Sequence, residues 1–306
     1  MLVGISEAIC LLLFNTILNT KDLVYQNNNK EILNSLYKEK NNEPPFGWFW
    51  ETPLGFHEPP FNMGGSKKAA SCFPVKFNEW LAGLIDGDGC FQLNKKGYAS
   101  LEIVLELRDK HALYQIKQKF GGSIKLRSGI NWLRYRLHHK KGIIKIINAI
   151  NGEIRNPIRF IQLQKICDKY GIYLIKSKPL TYNNGWLSGF FDSDGSIYFN
   201  LQSSQLFIST SQINSYMLEP LVKLYGGNIY PYKNSFKWVI YRKDQIQELL
   251  NYFHINPSRT AKQNRLLLIP KYFKLRKNKA HLATNKSILG KAWNKFLLNW
   301  EKYEKP

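Results

Sequence analysis

Two short acidic clusters are the part of this sequence best able to do chemistry. Asp86-Gly87-Asp88-Gly89 is the first, and Asp192-Ser193-Asp194-Gly195 follows it at an offset of 106 residues. A pair of carboxylates can hold a hard divalent cation through oxygen, which selects Mg²⁺, with Mn²⁺ as a substitute, over ions that prefer thiolate. A single copy would serve equally well to cap a helix and turn the chain. An EF-hand loop does not fit, because Cys90 or Ser196 would fall at the third ligand position and Phe91 or Ile197 at its glycine.

The clusters belong to a longer repeat. Asn78-Glu79-Trp80-Leu81-Ala82-Gly83-Leu84-Ile85 precedes the first, and Asn184-Gly185-Trp186-Leu187-Ser188-Gly189-Phe190-Phe191 precedes the second. Gly121-Gly122 answers to Gly226-Gly227, Trp132–Leu137 to Phe236–Tyr241, and Pro157 to Pro257 as the start of a late basic helix. Each copy reads as a helix stopped by the glycine of Asp-x-Asp-Gly. Alternating segments then pair, 90–94 with 99–107 and 196–201 with 205–211. Helices over Lys110–Phe120 and Ser215–Tyr225 close at the Gly-Gly pairs. A second strand pair follows, 123–127 with 132–137 and 228–232 with 236–241, and then two more helices. This order predicts an α+β fold with an antiparallel sheet and helices on one face of it, not an alternating βα nucleotide-binding fold. Small residues at Ala82, Gly83, Ser188 and Gly189 would let the two motif helices cross with backbones almost touching. Asp88 and Asp194 would then face one cleft at the negative ends of two helix dipoles, where they require a cation.

Charge divides the chain. Its 306 residues allow two domains, and 44% hydrophobic with 14% aromatic residues exclude a disordered protein. Lys and Arg number 44 against 22 Asp and Glu, a formal charge of +22. All of that excess lies in 77–306, since residues 1–76 are balanced, and it calls for a polyanionic partner, nucleic acid or an anionic membrane surface. Residues 1–76 hold six of the 13 prolines, an Asn27-Asn28-Asn29 tract and Gly64-Gly65-Ser66, and read as a weakly structured leader or linker. The aromatic stretch Phe46, Trp48, Phe49 and Trp50 within it suits docking. The four scattered cysteines exclude a disulfide framework and a structural zinc site. The run Ala8–Leu18 is too short to span a membrane, and no basic residue precedes it as in a secretory or transit signal. A protein working in an organelle would on this reading be made there.

Leu81-Ala82-Gly83-Leu84-Ile85-Asp86-Gly87-Asp88-Gly89 closely resembles the signature of the LAGLIDADG homing endonucleases, and the second copy resembles it more loosely. Ile154-Arg155-Asn156-Pro157 and Arg265-Leu266-Leu267-Leu268-Ile269-Pro270-Lys271-Tyr272 are similar to the mitochondrial branch encoded in group I introns. The resemblance covers roughly 77–303. It implies two pseudo-symmetric αββαββα-like subdomains, 77–176 and 177–306, in a chain that acts as a monomer, with the sheets forming a DNA-binding saddle. It implies metal binding by Asp88 and Asp194 with the carbonyls of Gly87 and Ser193, while Asp86 and Asp192 hold the helix ends. It further suggests Lys262 and Gln212 near the scissile phosphates, with approximate counterparts Gln162 and Leu107 in the first copy. The implied activity is Mg²⁺-dependent, site-specific cleavage of double-stranded DNA at a long asymmetric target, leaving 3′ overhangs, in mitochondria and with no small-molecule cofactor. Maturase work on a group I intron RNA is the alternative function, with or without nuclease activity, and a DNA-binding protein without catalysis is the weakest.

The sheet would provide the recognition surface, since a twisted antiparallel ribbon fits the major groove. Lys125, Arg127, Arg134 and Arg136 occupy strand positions in the first copy, and Gln202, Gln205, Lys233, Lys237 and Tyr241 in or beside strands of the second. Other features carry no chemistry. Gly171-Ile172-Tyr173 has no partner motif, His138-His139 has no cysteines near it, and Gly121-Gly122 lacks the sequel of a P-loop. Trp293, Phe296, Leu297 and Trp300 at helical spacing read as core or docking face.

Overall fold

The computed structural model describes residues 75–127, 131–200 and 202–302. The expectations for residues 1–74, leader and aromatic stretch alike, lie outside the described residues. Two antiparallel sheets of four strands repeat one topology. Helix α1 (Val75–Asp88) leads into β1 (Gly89–Leu93) and β2 (Ala99–Glu106), then α2 (Lys110–Phe120), β3 (Ser123–Leu126), β4 (Trp132–Leu137), α3 (Lys140–Ile150) and α4 (Pro157–Tyr170). The second half runs α5 (Trp186–Asp194), β5 (Gly195–Asn200), β6 (Gln205–Gln212), α6 (Glu219–Tyr225), β7 (Asn228–Tyr232), β8 (Ser235–Ile240), α7 (Lys243–Ile255) and α8 (Lys262–Lys277). A last helix, α9 (Ile288–Glu301), has no counterpart in the first half. The strand orders are β1-β2-β4-β3 and β5-β6-β8-β7, which is the expected α+β arrangement.

Local chemistry accounts for the helix ends. Asn156 caps α4 by accepting a hydrogen bond from the Ile158 N–H, Pro157 takes the first helical position, and Gly171 closes the helix at φ 65°. One expected helix is shorter than its sequence pattern. Ser215–Met217 forms a 3₁₀ turn and α6 begins only at Glu219, because Pro220 has no N–H to give to an earlier turn and its ring would strike one. The match of Pro157 to Pro257 also needs correcting. Pro157 opens α4, whereas α8 starts five residues after Pro257, since 257–261 wraps around Asp192 as described below.

One face of each sheet is packed under helices. Leu101, Ile103, Leu105, Leu133, Tyr135 and Leu137 fill the first core, and Leu206, Ile208, Trp238 and Ile240 the second. Phe199 extends the second core outward, its ring 4.3 Å from Trp300 and 5.8 Å from Phe296. The aromatic spacing of Trp293, Phe296 and Trp300 is therefore core packing of α9, as the sequence pattern suggests. No helix among the described residues is long and apolar enough to cross a membrane.

The halves meet where α1 crosses α5. A Cβ added to Gly83 would lie 2.0 Å from the Trp186 carbonyl oxygen, and one added to Gly189 would lie 1.7 Å from that of Trp80. Backbone touches backbone at two reciprocal points. Ser188 differs from the expectation, because its hydroxyl donates to the Pro257 carbonyl at 2.9 Å and so serves its own half. Ala82 is fully buried. Gly189→Ala is expected to cost at least about 3 kcal/mol, because backbone on both sides prevents relief. Gly171→Ala, strained only by its positive φ, should cost about 1 kcal/mol. Urea unfolding of the two variants checks this, and equal losses would refute the crossing as drawn.

Candidate active site

The first aspartate of each cluster is a bolt between the halves. Asp86 Oδ2 accepts hydrogen bonds from the Trp186 indole N–H at 2.7 Å and the Arg155 backbone N–H at 2.8 Å. Asp192 Oδ2 accepts in the same way from the Trp80 indole at 2.8 Å and the Arg259 backbone at 2.8 Å. The arginines complete the symmetry, with Arg155 over the Trp186 ring at 5.7 Å and Arg259 over Trp80 at 5.1 Å. Each motif tryptophan thus reaches across to the other motif's carboxylate. Burial pushes the Asp86 carboxyl up to about 6, against the pull of the Arg155 and Trp186 donors. Asp192 is better supplied, since Ser258 and Thr260 hydroxyls both donate to its Oδ1, whereas Asp86 Oδ1 is buried without a hydrogen bond. Asp109 adds another tie, accepting from the Ala261 N–H at 2.7 Å.

With the first aspartates spent on structure, the second ones stand at the helix ends, partly exposed. Asp88 is the last residue of α1 and Asp194 the last of α5. A Cβ at Gly87 would lie 2.8 Å from Asp194 Oδ2 and 1.9 Å from Ser193 Oγ. The second carboxylate therefore sits against the backbone of the first cluster, and glycine is what permits it. The Asp88 and Asp194 carboxylates and the Gly87 and Ser193 carbonyls are all hard oxygen, the donor type that suits a hard divalent cation.

Basic side chains close on both helix ends. Lys262 Nζ donates to the carbonyls of Phe191, Asp192 and Ser193 at 2.9, 2.7 and 3.1 Å. In the first half Arg159, almost wholly buried, donates to the Gly87 carbonyl at 3.2 Å. These cations neutralise the negative end of each motif helix. Arg159 is therefore the counterpart of Lys262, which corrects the assignment of Gln162. Gln162 accepts from the Phe91 N–H of β1, the role that Arg265 mirrors by donating to the Ile197 carbonyl of β5. Pairing Pro157 with Pro257 points to Gln162 because Lys262 lies five residues beyond Pro257, whereas Arg159 lies two residues beyond Pro157. Gln212 Nε2 donates to Asp194 Oδ2 at 2.7 Å. Its partner in register is Leu105, not Leu107, because Gly89 pairs with Ile103 and Gly195 with Thr210. Leu105 is apolar and buried, so the two helix ends are unequally equipped.

The expected recognition residues lie on the uncovered sheet faces or their rims. Lys125 and Arg134 are cross-strand neighbours, Arg127 follows β3, and Arg136 is paired with Glu102 at 3.2 Å. Lys233 occupies the β7–β8 turn with φ 52°, Lys237 stands on β8, and Gln202 and Gln205 border the β5–β6 turn. Sequence reasoning missed Arg159 and the Trp80 and Trp186 bolts. The signal for the bolts was present, since each tryptophan stands six residues before the first aspartate of its motif.

Comparison with known proteins agrees with this geometry. Residues 81–168 and 187–273 match the model of the LAGLIDADG endonuclease family, and the chain belongs to that family. It is 38% identical to the intron-encoded DNA endonuclease ai2a of Dictyostelium discoideum, over 74% of this chain and 75% of that one. It is 44% identical to the intron-encoded RNA maturase bI4 of Saccharomyces cerevisiae and 41% to the probable intron-encoded endonuclease aI2 of Debaryomyces hansenii, over 74% of this chain in each case. The match spans 37% and 38% of the length of those two relatives. Its fold is that of the meganuclease I-AabMI, solved bound to uncleaved DNA, with a TM-score of 0.53 and 20% identity over 72% of this chain and 97% of that one. I-GzeII, solved in complex with a DNA target, gives 0.54 and 20% over 74% and 99%.

The unequal supply of donors generates a prediction. Trp186→Phe and Trp80→Phe each remove one donor from a buried carboxylate, at a cost of about 1–3 kcal/mol. The loss should be larger for Trp186→Phe, because Asp86 then keeps only the backbone donors of Arg155 and Asn156, whereas Asp192 without Trp80 keeps Ser258, Arg259 and Thr260. Thermal unfolding of both variants checks the order, and the reverse order would refute it.

Proposed function

We propose that this chain is a site-specific endonuclease that cuts both strands of a DNA target at the paired helix ends. The observation that carries the reading is the approach of Asp194 Oδ2 to Gly87, which brings two acidic helix ends to backbone distance. Asp88 and Asp194 would provide carboxylate ligands for Mg²⁺ or Mn²⁺, and the Gly87 and Ser193 carbonyls neutral ones. Arg159 and Lys262 use one lone pair of those carbonyls, and a carbonyl oxygen has a second. When bound, the cation supplies Lewis acidity at the scissile phosphate and charge for the leaving 3′ oxygen. Gln212 holds the Asp194 carboxylate in orientation. Lys262 keeps an ammonium group at the helix end, where it offsets charge gathering on the phosphate.

The same reading includes a long asymmetric target, a staggered cut leaving 3′ overhangs, action as a monomer and a mitochondrial location. The subdomain boundaries belong to it too, with 77–176 and 177–306 as the two halves and 1–76 as a leader or linker. A second reading, maturase work on a group I intron RNA, is favoured by the 44% identity to an RNA maturase over 74% of the chain. The two are compatible in one protein.

Duplex DNA spanning the intronless exon junction of the host gene, with and without Mg²⁺, tests the endonuclease. Asp88→Asn and Asp194→Asn should each lower double-strand cutting by roughly 100-fold or more while DNA binding persists. Full cutting by both variants, or undiminished cutting in chelator, would refute the metal site. Tight binding of the intron RNA with no cutting by the wild type would make maturase work the function.

Gln212→Leu gives the second helix end the apolar side chain of the first. Strand-resolved kinetics should then show one strand slowed about tenfold, with nicked DNA accumulating and the other strand unaffected. Equal slowing of both strands would refute the assignment of Gln212 to one site.

A further inference from the structure

The two open sheet faces differ in kind. The strands of the first sheet carry Glu102, Glu106, Lys125, Arg134 and Arg136, whereas those of the second carry Lys237 as their one charged residue. In the first, Arg136 is paired with Glu102 at 3.2 Å and Glu106 with Arg108 at 2.5 Å, which holds donors and acceptors in fixed directions. In the second, the outward positions carry Tyr198, Phe207, Tyr230 and Tyr232 among uncharged polar residues such as Asn200, Gln205 and Ser211. Tyr198 and Phe207 stack across β5 and β6 with ring centres 5.4 Å apart and planes within 12°. Lys237 Nζ lies 4.8 Å from the Tyr198 ring centre and 5.6 Å from that of Tyr232, so its charge is engaged by ring faces.

Base edges in the major groove answer these surfaces differently. Arginine and lysine pair with guanine O6 and N7, and glutamate accepts from the cytosine amino group, while apolar carbon recognises the C5 methyl of thymine. We infer that the two sheets read their half-sites by different chemistry. The first reads G·C pairs through hydrogen bonds, and the second reads thymine methyl groups through Tyr198, Phe207 and their neighbours, so the target is compositionally lopsided. Stacking of unpaired RNA bases on the second sheet is the less suited use, since it needs available ring faces and those of Tyr198 engage Phe207 and Lys237. The inference rests on the endonuclease reading and names the substrate of its second half.

The test selects duplexes bound by the full-length protein from a randomised DNA pool, then assays the enriched sequence for cutting in Mg²⁺. Thymines of that sequence are replaced by uracil, which lacks only the methyl group, one half-site at a time. Each uracil in one half should weaken binding about fourfold, and uracil in the other half should change it little. Phe207→Ala should abolish the uracil penalty in the sensitive half, which assigns that half to the second sheet, and Arg134→Ala should leave the penalty intact. Replacing guanine by 7-deazaguanine, which removes the N7 acceptor, should weaken binding mainly in the half insensitive to uracil. Equal uracil penalties in both halves, or a penalty that survives Phe207→Ala, would overturn the inference while cutting of the enriched duplex upheld the endonuclease. Preference for single-stranded RNA over every duplex, lost in Phe207→Ala, would also overturn it. If no duplex is enriched, the endonuclease reading falls and the inference falls with it.

Discussion

The rest of the molecule depends on the contact between α1 and α5. Helices ordinarily pack with 8–10 Å between their axes, held apart by side chains. Here Gly83 and Gly189 remove the side chain at the points of contact, so each helix rests on the carbonyl oxygens of Trp80 and Trp186 in the other. Closeness alone would leave rotation about the contact undetermined. The reciprocal Trp–Asp bonds remove that freedom, because Trp80 must reach Asp192 while Trp186 reaches Asp86. Two glycines set the separation and two indoles set the angle. Only then do the residues after Asp86 and Asp192 come to lie beside each other.

Much of this was legible in the sequence, and the reasons are local. Strands show as period-two patterns, and helices stop where Gly-Gly or Asp-x-Asp-Gly stops them, so Lys110–Phe120 is a helix over the stretch its pattern indicates. A repeat constrains more, because two copies that fold alike must share their topology. What could not be read was the connection from α7 to α8. Its course is dictated by the four hydrogen bonds that Asp192 draws from Ser258, Arg259, Thr260 and Trp80, and three of those donors come from a loop without periodicity. Aligning prolines across that loop shifted the late helices and concealed Arg159. Pro220 shortened α6 for the same kind of reason, a single residue acting through sterics against an otherwise helical pattern.

Duplication also explains why the halves are not equal. An interface built from two copies of one contact tolerates little change at Gly83, Gly189, Trp80 or Trp186, since each is held by the other copy. Residues that face outward or into the cleft carry no such mutual restraint. Gln212 stands where the first half has Leu105, Lys262 where it has Arg159, and the stacked Tyr198 and Phe207 where the first sheet has Gln92 and Ser100. Pseudo-symmetry is therefore strict at the helix crossing and relaxed around the helix ends and on the sheet faces that would meet nucleic acid. A target read by such a chain has no need to be palindromic.

Asp88 and Asp194 bring the arrangement's cost into view. A carboxylate at a helix C-terminus meets the negative end of the dipole, an unfavourable placing worth some 0.3–1 kcal/mol at an exposed site. Two such ends set side by side repel one another as well. Arg159 and Lys262 answer the dipoles by donating to the last carbonyls, and Gln212 donates to the Asp194 carboxylate itself. Folding alone would be served better by asparagine at both positions, which would keep hydrogen-bonding capacity without the charge. Acidic residues where the fold of a strongly basic protein brings two helix ends together are what the proposed seat for a cation, and through it for a phosphate, would need.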